Sequence, residues 1–217
     1  IAAYPCPAAL FHTGIGGVRA SSLLATSLRP LALFTIAPKK MIGGFIESIS
    51  SAEFGGRPGA TVIEVDGGTA LPGFVDAHTH VLVRIPVATS DSELDAYMVN
   101  SLPGLLRAYL EAGVTSMVST GDYWPKILDV QAALLTGSLT GPRLHVMGPV
   151  FQRFGGHPAD TICKRNRWCR ERLAVEVDNP KTAADRVAHF ATRGVFAIKA
   201  VFSEKYTQES DPMADLA

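Results

Sequence analysis

Leu71-Pro72-Gly73-Phe74-Val75-Asp76-Ala77-His78-Thr79-His80 decides how the rest of this chain is read. A Pro-Gly break precedes a short apolar run, so the segment reads as a strand entered from a turn. In a strand, residues two apart share a face, which puts the imidazoles of His78 and His80 side by side at the strand's C-terminal end. Paired nitrogen donors of this kind suit zinc or a similar divalent ion. The bland alternative is two ordinary polar residues leaving a strand. Asp76, two residues before His78, is placed to orient it.

Downstream, strand and helix signals alternate. Ser92 to about Ala112 has helical spacing, with Asp91 or Ser92 as N-cap, a kink or break at Pro103, and a stop at Gly113. Val114–Ser119 reads as a second strand, Trp124–Leu139 as a helix and Arg143–Phe151 as a third strand. Gln152–Asn179 carries mixed signals, and its basic stretch Lys164–Arg172 reads as a solvated loop or short helix. Pro180–Arg193 is a helix with Pro at its start, and Val195–Phe202 a fourth strand. This rhythm predicts an α/β protein with a parallel sheet. Upstream, Ile42–Ser50 and Thr61–Val65 are short β-like runs separated by Gly- and Pro-rich turns.

The 217 residues are 47% hydrophobic and 18% charged, which predicts a packed core. Lysine plus arginine equals aspartate plus glutamate at 20 each, so charge does not point to nucleic acid as a partner. No apolar run reaches the roughly 18 residues that span a bilayer, so no membrane partner is expected. Three cysteines, an odd number without CxxC spacing, predict no disulfide framework and a reducing compartment. A cytoplasmic location is expected. Residues 1–46 lack any acid but hold Arg19, Arg29, Lys39 and Lys40. They read as an organelle transit peptide or, since the chain opens on Ile1, as a gene-model artefact or incomplete 5′ end. No P-loop, dinucleotide loop or GxSxG elbow occurs.

Residues 71–80 resemble the first barrel strand of the amidohydrolase superfamily, whose members carry a PG-hydrophobic-hydrophobic-D-x-H-x-H segment there. The resemblance is to the imidazolonepropionase and prolidase-like branch. It implies a partial TIM-type (β/α) barrel of about four βα units. Residues 1–40 stay unassigned, 41–70 become part of a small β-sandwich, and 71–217 the first half of the barrel. It implies a metal site of one or two zinc-like ions on His78, His80 and Lys199, and hydrolysis of an amide or cyclic amide C–N bond by metal-activated water on a small-molecule substrate.

Lys199, in Phe196-Ala197-Ile198-Lys199-Ala200-Val201-Phe202, matches the fourth-strand lysine that many relatives carbamylate into a bridging ligand. Burial in so apolar a strand favours the neutral amine that reacts with carbon dioxide. The plain alternative is a lysine snorkelling from a strand end. Asp122 either lines the site, as acids there do in relatives, or caps the helix near Trp124. His157, in Gly155-Gly156-His157, resembles a substrate-side loop of the same relatives but also fits an ordinary surface loop. His145 reads as a hydrogen-bonded core residue, and His12 and His189 as structural or exposed.

A full barrel takes about 250 residues. In the family, two more histidines and a catalytic aspartate follow on later strands. After Lys199 no histidine remains and Asp215 lies in a polar tail, so no catalytic general base is assigned. The expectation is an incomplete enzyme, or alternatively a non-catalytic α/β half-barrel whose HxH is residual. Open strand edges predict self-association.

Overall fold

The computed structural model describes residues 71–202 throughout and, before them, Gly59 and the backbone of four short strands. The chain divides into two units, Ile1–Phe74 and Val75–Ala217. In the first, β1 (Arg19–Ala20) pairs antiparallel with β4 (Ile63–Glu64), and β2 (Lys39–Ile42) with β3 (Phe45–Ile49). Most of residues 1–46, with their leader-like reading, and the tail beyond 202 lie outside the described residues.

The second unit begins with β5 (Phe74–Thr79), which joins a sheet of order β5-β6-β7 with β6 (Val114–Ser119) and β7 (Arg143–Val146). β6 and β7 run parallel, Ser116 opposite Arg143 through Ser119 opposite Val146. β6 is the middle strand and is buried on both faces, Met117 and Ser119 on one and Val118 on the other. That is the burial a parallel strand covered by helices requires.

Between β5 and β6 lie α1 (Asp91–Asn100) and α2 (Leu102–Glu111). The cap of α1 is Ser90, not Asp91 or Ser92. Its hydroxyl accepts from the Glu93 N–H, and the Glu93 carboxylate reaches back to the Thr89 N–H. Such a cap contributes about 1 kcal/mol. The expected break falls at Ser101, where Pro103, which has no N–H to donate to the preceding turn, sits in the first turn of α2. α2 presents Leu102 and Leu106 inward and stops before Gly113, which is left-handed. α3 (Lys126–Thr136) is shorter than its sequence pattern, ending at left-handed Gly137. Leu94, Leu102, Leu106, Met117, Ile127 and Leu144 belong to the main core.

Four expectations are corrected here. The third strand is two: β7 stops at Val146, and β8 (Val150–Arg153) starts a different sheet. Gly148 is left-handed and Pro149 has no N–H to give, so the ladder cannot continue through them. β8 pairs in parallel with a strand that the sequence did not announce, β9 (Ala174–Val177). It follows α4 (Arg167–Leu173) with no intervening turn residue, and the basic composition of that helix masks it. Residues 195–202 do not form a fourth strand. The segment bonds first to β7, through Phe196 N–H to the Val146 carbonyl, then to β8 at Phe151, and makes one isolated parallel bridge. A partner switch after so few bonds leaves no ladder.

The fourth correction is a disulfide, Cys163–Cys169, with Cα atoms 5.3 Å apart. A π-helical turn, Ala159–Cys163, folds back onto the start of α4, which Asn166 caps by accepting from the Cys169 N–H. Six residues of separation thus bring the two sulfurs together without any CxxC spacing, and the argument for a reducing compartment falls with them. α5 (Pro180–Ala191) carries Pro at its start as expected and is capped by Asn179. Its Phe190 packs with Phe151, Val177 and Ala183 in a second, smaller core. Among the described residues no helix is long and apolar enough to cross a membrane.

Candidate metal centre

His78 and His80 leave the end of β5 with ring centroids 5.7 Å apart. Between them Thr79 turns inward, buried, with its hydroxyl 3.1 Å from that of Tyr109. That inward residue is what sends both histidines outward. The Asp76 carboxylate accepts from the His78 backbone N–H at 3.0 Å.

His80 Nδ1 lies 2.7 Å from the Gly121 carbonyl oxygen. A carbonyl can only accept, so Nδ1 carries a proton and, in the neutral ring, Nε2 is the nitrogen left to bind a metal. Gly121 has φ +122, and a Cβ built there would stand 2.5 Å from Val150 Cγ2. Both facts require glycine.

Lys199 comes from the 195–202 segment. Its carbonyl accepts from the Phe151 N–H at 2.8 Å, and the Phe151 carbonyl accepts from the Val201 N–H at 2.9 Å. Its Nζ lies 3.0 Å from His78 Nε2, across 121 residues of sequence. Burial holds the amine below its ordinary basicity. The Lys199 charge, followed by burial and His80, lowers His78, while Asp76 opposes them. Two imidazole nitrogens and a lysine of reduced basicity therefore converge, a donor set that fits part of a zinc-type site. Among the described residues no three His, Cys, Asp or Glu side chains gather into a metal cluster.

His157 sits close enough that Lys199 and His80 lower it after burial does. Its Nδ1 is 2.6 Å from the Thr161 hydroxyl. The Gly155-Gly156 turn before it is pinned by Glu176, which accepts from the Gly155 N–H and from Nε and Nη2 of Arg170 at 2.8 and 2.7 Å. Sequence reading missed Glu176 and Arg170. Their only signal was an acid in an apolar run beside a basic helix.

Asp122 neither lines an open surface nor caps α3, whose N-cap is Pro125 with no side-chain bond. Its carboxylate is fully buried. One oxygen accepts from Val81 N–H at 2.7 Å and the Ser119 hydroxyl at 2.6 Å, the other from Leu82 and Val83 N–H at 2.8 and 2.9 Å. Burial pushes this carboxyl up, and the four donors pull the other way. His145 is half-buried with its ring 5.1 Å from Phe196, and burial lowers it.

No family model and no curated protein matches the sequence. Solved structures do. A prolidase crystallised with N-methylphosphonate-L-proline superposes with TM-score 0.65 at 25% identity, over 91% of this chain and 49% of that one. An amidohydrolase matches with TM-score 0.62 at 23% identity, over 84% and 46%. A Xaa-Pro dipeptidase with bound methionine matches with TM-score 0.57 at 21% identity, over 71% and 39%. The last two are likenesses of fold. The chain spans about half the length of the first of these structures. The amidohydrolase resemblance suggested by the sequence thus agrees with the structural neighbours of this chain, which are prolidase and amidohydrolase-family proteins.

Proposed function

We propose that this chain carries one side of a metal-dependent amidohydrolase centre that hydrolyses a C–N bond, in a linear or cyclic amide, of a small molecule. The observation that carries the reading is the meeting of His78 Nε2 with Lys199 Nζ at 3.0 Å, beside His80, at the C-terminal end of β5. That end is where (β/α) barrels place their chemistry. His78, His80 and Lys199 would hold one or two divalent ions. A zinc-like ion supplies polarisation of the carbonyl and a water acidic enough to attack it at neutral pH. The protein's own residues do the rest. His80 is held in one tautomer by Gly121. Lys199, with its amine deprotonated, would form an N–C bond to carbon dioxide and release one proton to solvent, which converts a neutral amine into an anionic oxygen donor. His157 faces the substrate from the loop after β8.

Residues 41–70 are read as part of a small β-sandwich and 71–217 as barrel. β5 and β7 are the outer strands of their sheet, and Val75 and Phe196 are 63% and 61% exposed. Exposed apolar side chains of this size favour self-association, which sedimentation at several concentrations reads directly. The phosphonate-proline complex of the similar prolidase makes proline-capped amides the first substrates to try.

A second reading, a non-catalytic protein with a residual HxH, is favoured because among the described residues no three His, Cys, Asp or Glu side chains are grouped so as to hold a metal ion. Zinc titration followed by assay on linear, proline-capped and cyclic amides separates the two. Stoichiometric zinc that is lost in His78→Ala, with zinc-dependent hydrolysis, supports the enzyme. Zinc without hydrolysis favours the second reading, and no zinc overturns both.

A further inference from the structure

We propose that Asp122 is a positioning residue: its carboxylate clamps the three backbone N–H groups that follow His80 and so fixes the His80 ring for metal binding. The proposal rests on the metal-site reading of His78 and His80 and deepens it.

The argument is one of donors and acceptors. Val81, Leu82 and Val83 turn their N–H groups onto one buried side chain, and the Ser119 hydroxyl joins them. Each oxygen takes two donors. A carboxylate can take two donors at each oxygen, whereas a protonated carboxyl turns one oxygen into a donor. An amide would aim an NH2 at two of the same donors, and the backbone would have to open. Carboxylate bonds to backbone N–H groups are also stronger than neutral ones. The clamped residues begin immediately after His80, and Val81 and Leu82 are each 1% exposed, so the chain there has no other place to go. Tyr97 holds the same turn from the other side through the Val81 carbonyl at 2.9 Å. Asp122 is in addition the residue after Gly121, whose carbonyl takes the His80 Nδ1 proton at 2.7 Å. One short stretch, Gly121-Asp122, therefore grips both the ring of His80 and the backbone that leaves it.

Two measurements test this. In the metal-free protein, long-range nitrogen–proton NMR should show His80 as the Nδ1–H tautomer. Asp122→Asn should give a mixture and weaken zinc binding tenfold or more, the range typical when a ligand's supporting partner is removed. Ser119→Ala, which withdraws a single donor, should shift the tautomer partly and serves where Asp122→Asn does not fold. A folded Asp122→Asn with the wild-type tautomer overturns the proposal, whatever its melting temperature. In the unaltered protein, zinc should slow amide exchange at Val81, Leu82 and Val83, because coupling between two sites is reciprocal. Unchanged exchange with zinc bound also overturns it. If the wild type binds no zinc, the metal-site reading fails by itself, and the tautomer experiment still decides whether Asp122 sets the ring.

Discussion

The strand end that carries His78 and His80 is fixed from behind by a buried carboxylate, a glycine carbonyl and the main core. The segment that carries Lys199 is held by two backbone bonds to Phe151, which form a single parallel bridge, and by one from Phe196. The first region packs Leu94, Leu102, Leu106, Met117 and Leu144 beneath it, and the second rests on the small group of Phe151, Val177, Ala183 and Phe190. Both deliver a nitrogen to the same spot. A metal centre needs its imidazoles aimed before the ion arrives, whereas a lysine that must meet carbon dioxide needs access and a lowered basicity. A rigid arm and a lightly tied one suit those two demands.

The contrast breaks first if the His end proves soft. Leu106→Ala, at a site with no solvent exposure, should cost about 3 kcal/mol, read by denaturant unfolding, and should weaken zinc binding along with stability. A well-tolerated Leu106→Ala would mean that the core beneath β5 and β6 is not what holds the histidines.

The disulfide comes next. Reducing Cys163–Cys169, or replacing both with serine, should cost about 2 kcal/mol from the short loop it closes. Because it lies on the route from His157 to β9, it should loosen the His157 loop more than the His78 end, which hydrogen exchange can localise.

A smaller effect tests the Glu176 clamp on Gly155. Burial raises the Glu176 carboxyl, but the bonds from Arg170 and Gly155 outweigh it and leave it below the usual carboxylate range. A carboxyl lower in the folded state than in the unfolded chain stabilises above its unfolded value and loses that effect as pH falls through its folded value. The stability gap between wild type and Glu176→Gln should thus be about 1 kcal/mol at neutral pH and close under acid conditions. A gap that widens on acidification would refute the clamp.

The smallest effect on stability should come at the Lys end. Lys199→Met should change unfolding free energy by no more than about 0.5 kcal/mol. If Lys199 is carbamylated as proposed, the variant should lack the signal that labelled bicarbonate gives in carbon NMR of the wild type.

The alternation of strand and helix and the outward pairing of His78 and His80 were legible because each rests on local periodicity or on the motif at residues 71–80, whereas Lys199 was read on a fourth strand that does not form. The break at Ser101 was legible because Pro103 enforces it. Asp122 was not. In sequence, a carboxylate that binds backbone some 40 residues earlier looks the same as one on the surface, because its partners carry no side-chain identity. The Cys163–Cys169 pairing depended on a π-helical turn that no spacing rule describes. β9 was hidden because a helix runs into it without punctuation, and the division of the third strand turned on Gly148 and Pro149 acting together.

Gly121 bears on how copies of this gene would diverge. A side chain there would collide with Val150 whether or not an ion is ever bound, so selection for folding alone keeps the glycine. His78 and Lys199 enjoy no such protection, since both stand at the surface end of the site. A lineage that had abandoned hydrolysis but still needed a folded product would lose those two first and keep Gly121 unchanged. That pattern of losses, read across related genes, would separate a working enzyme from a retired one without a single assay.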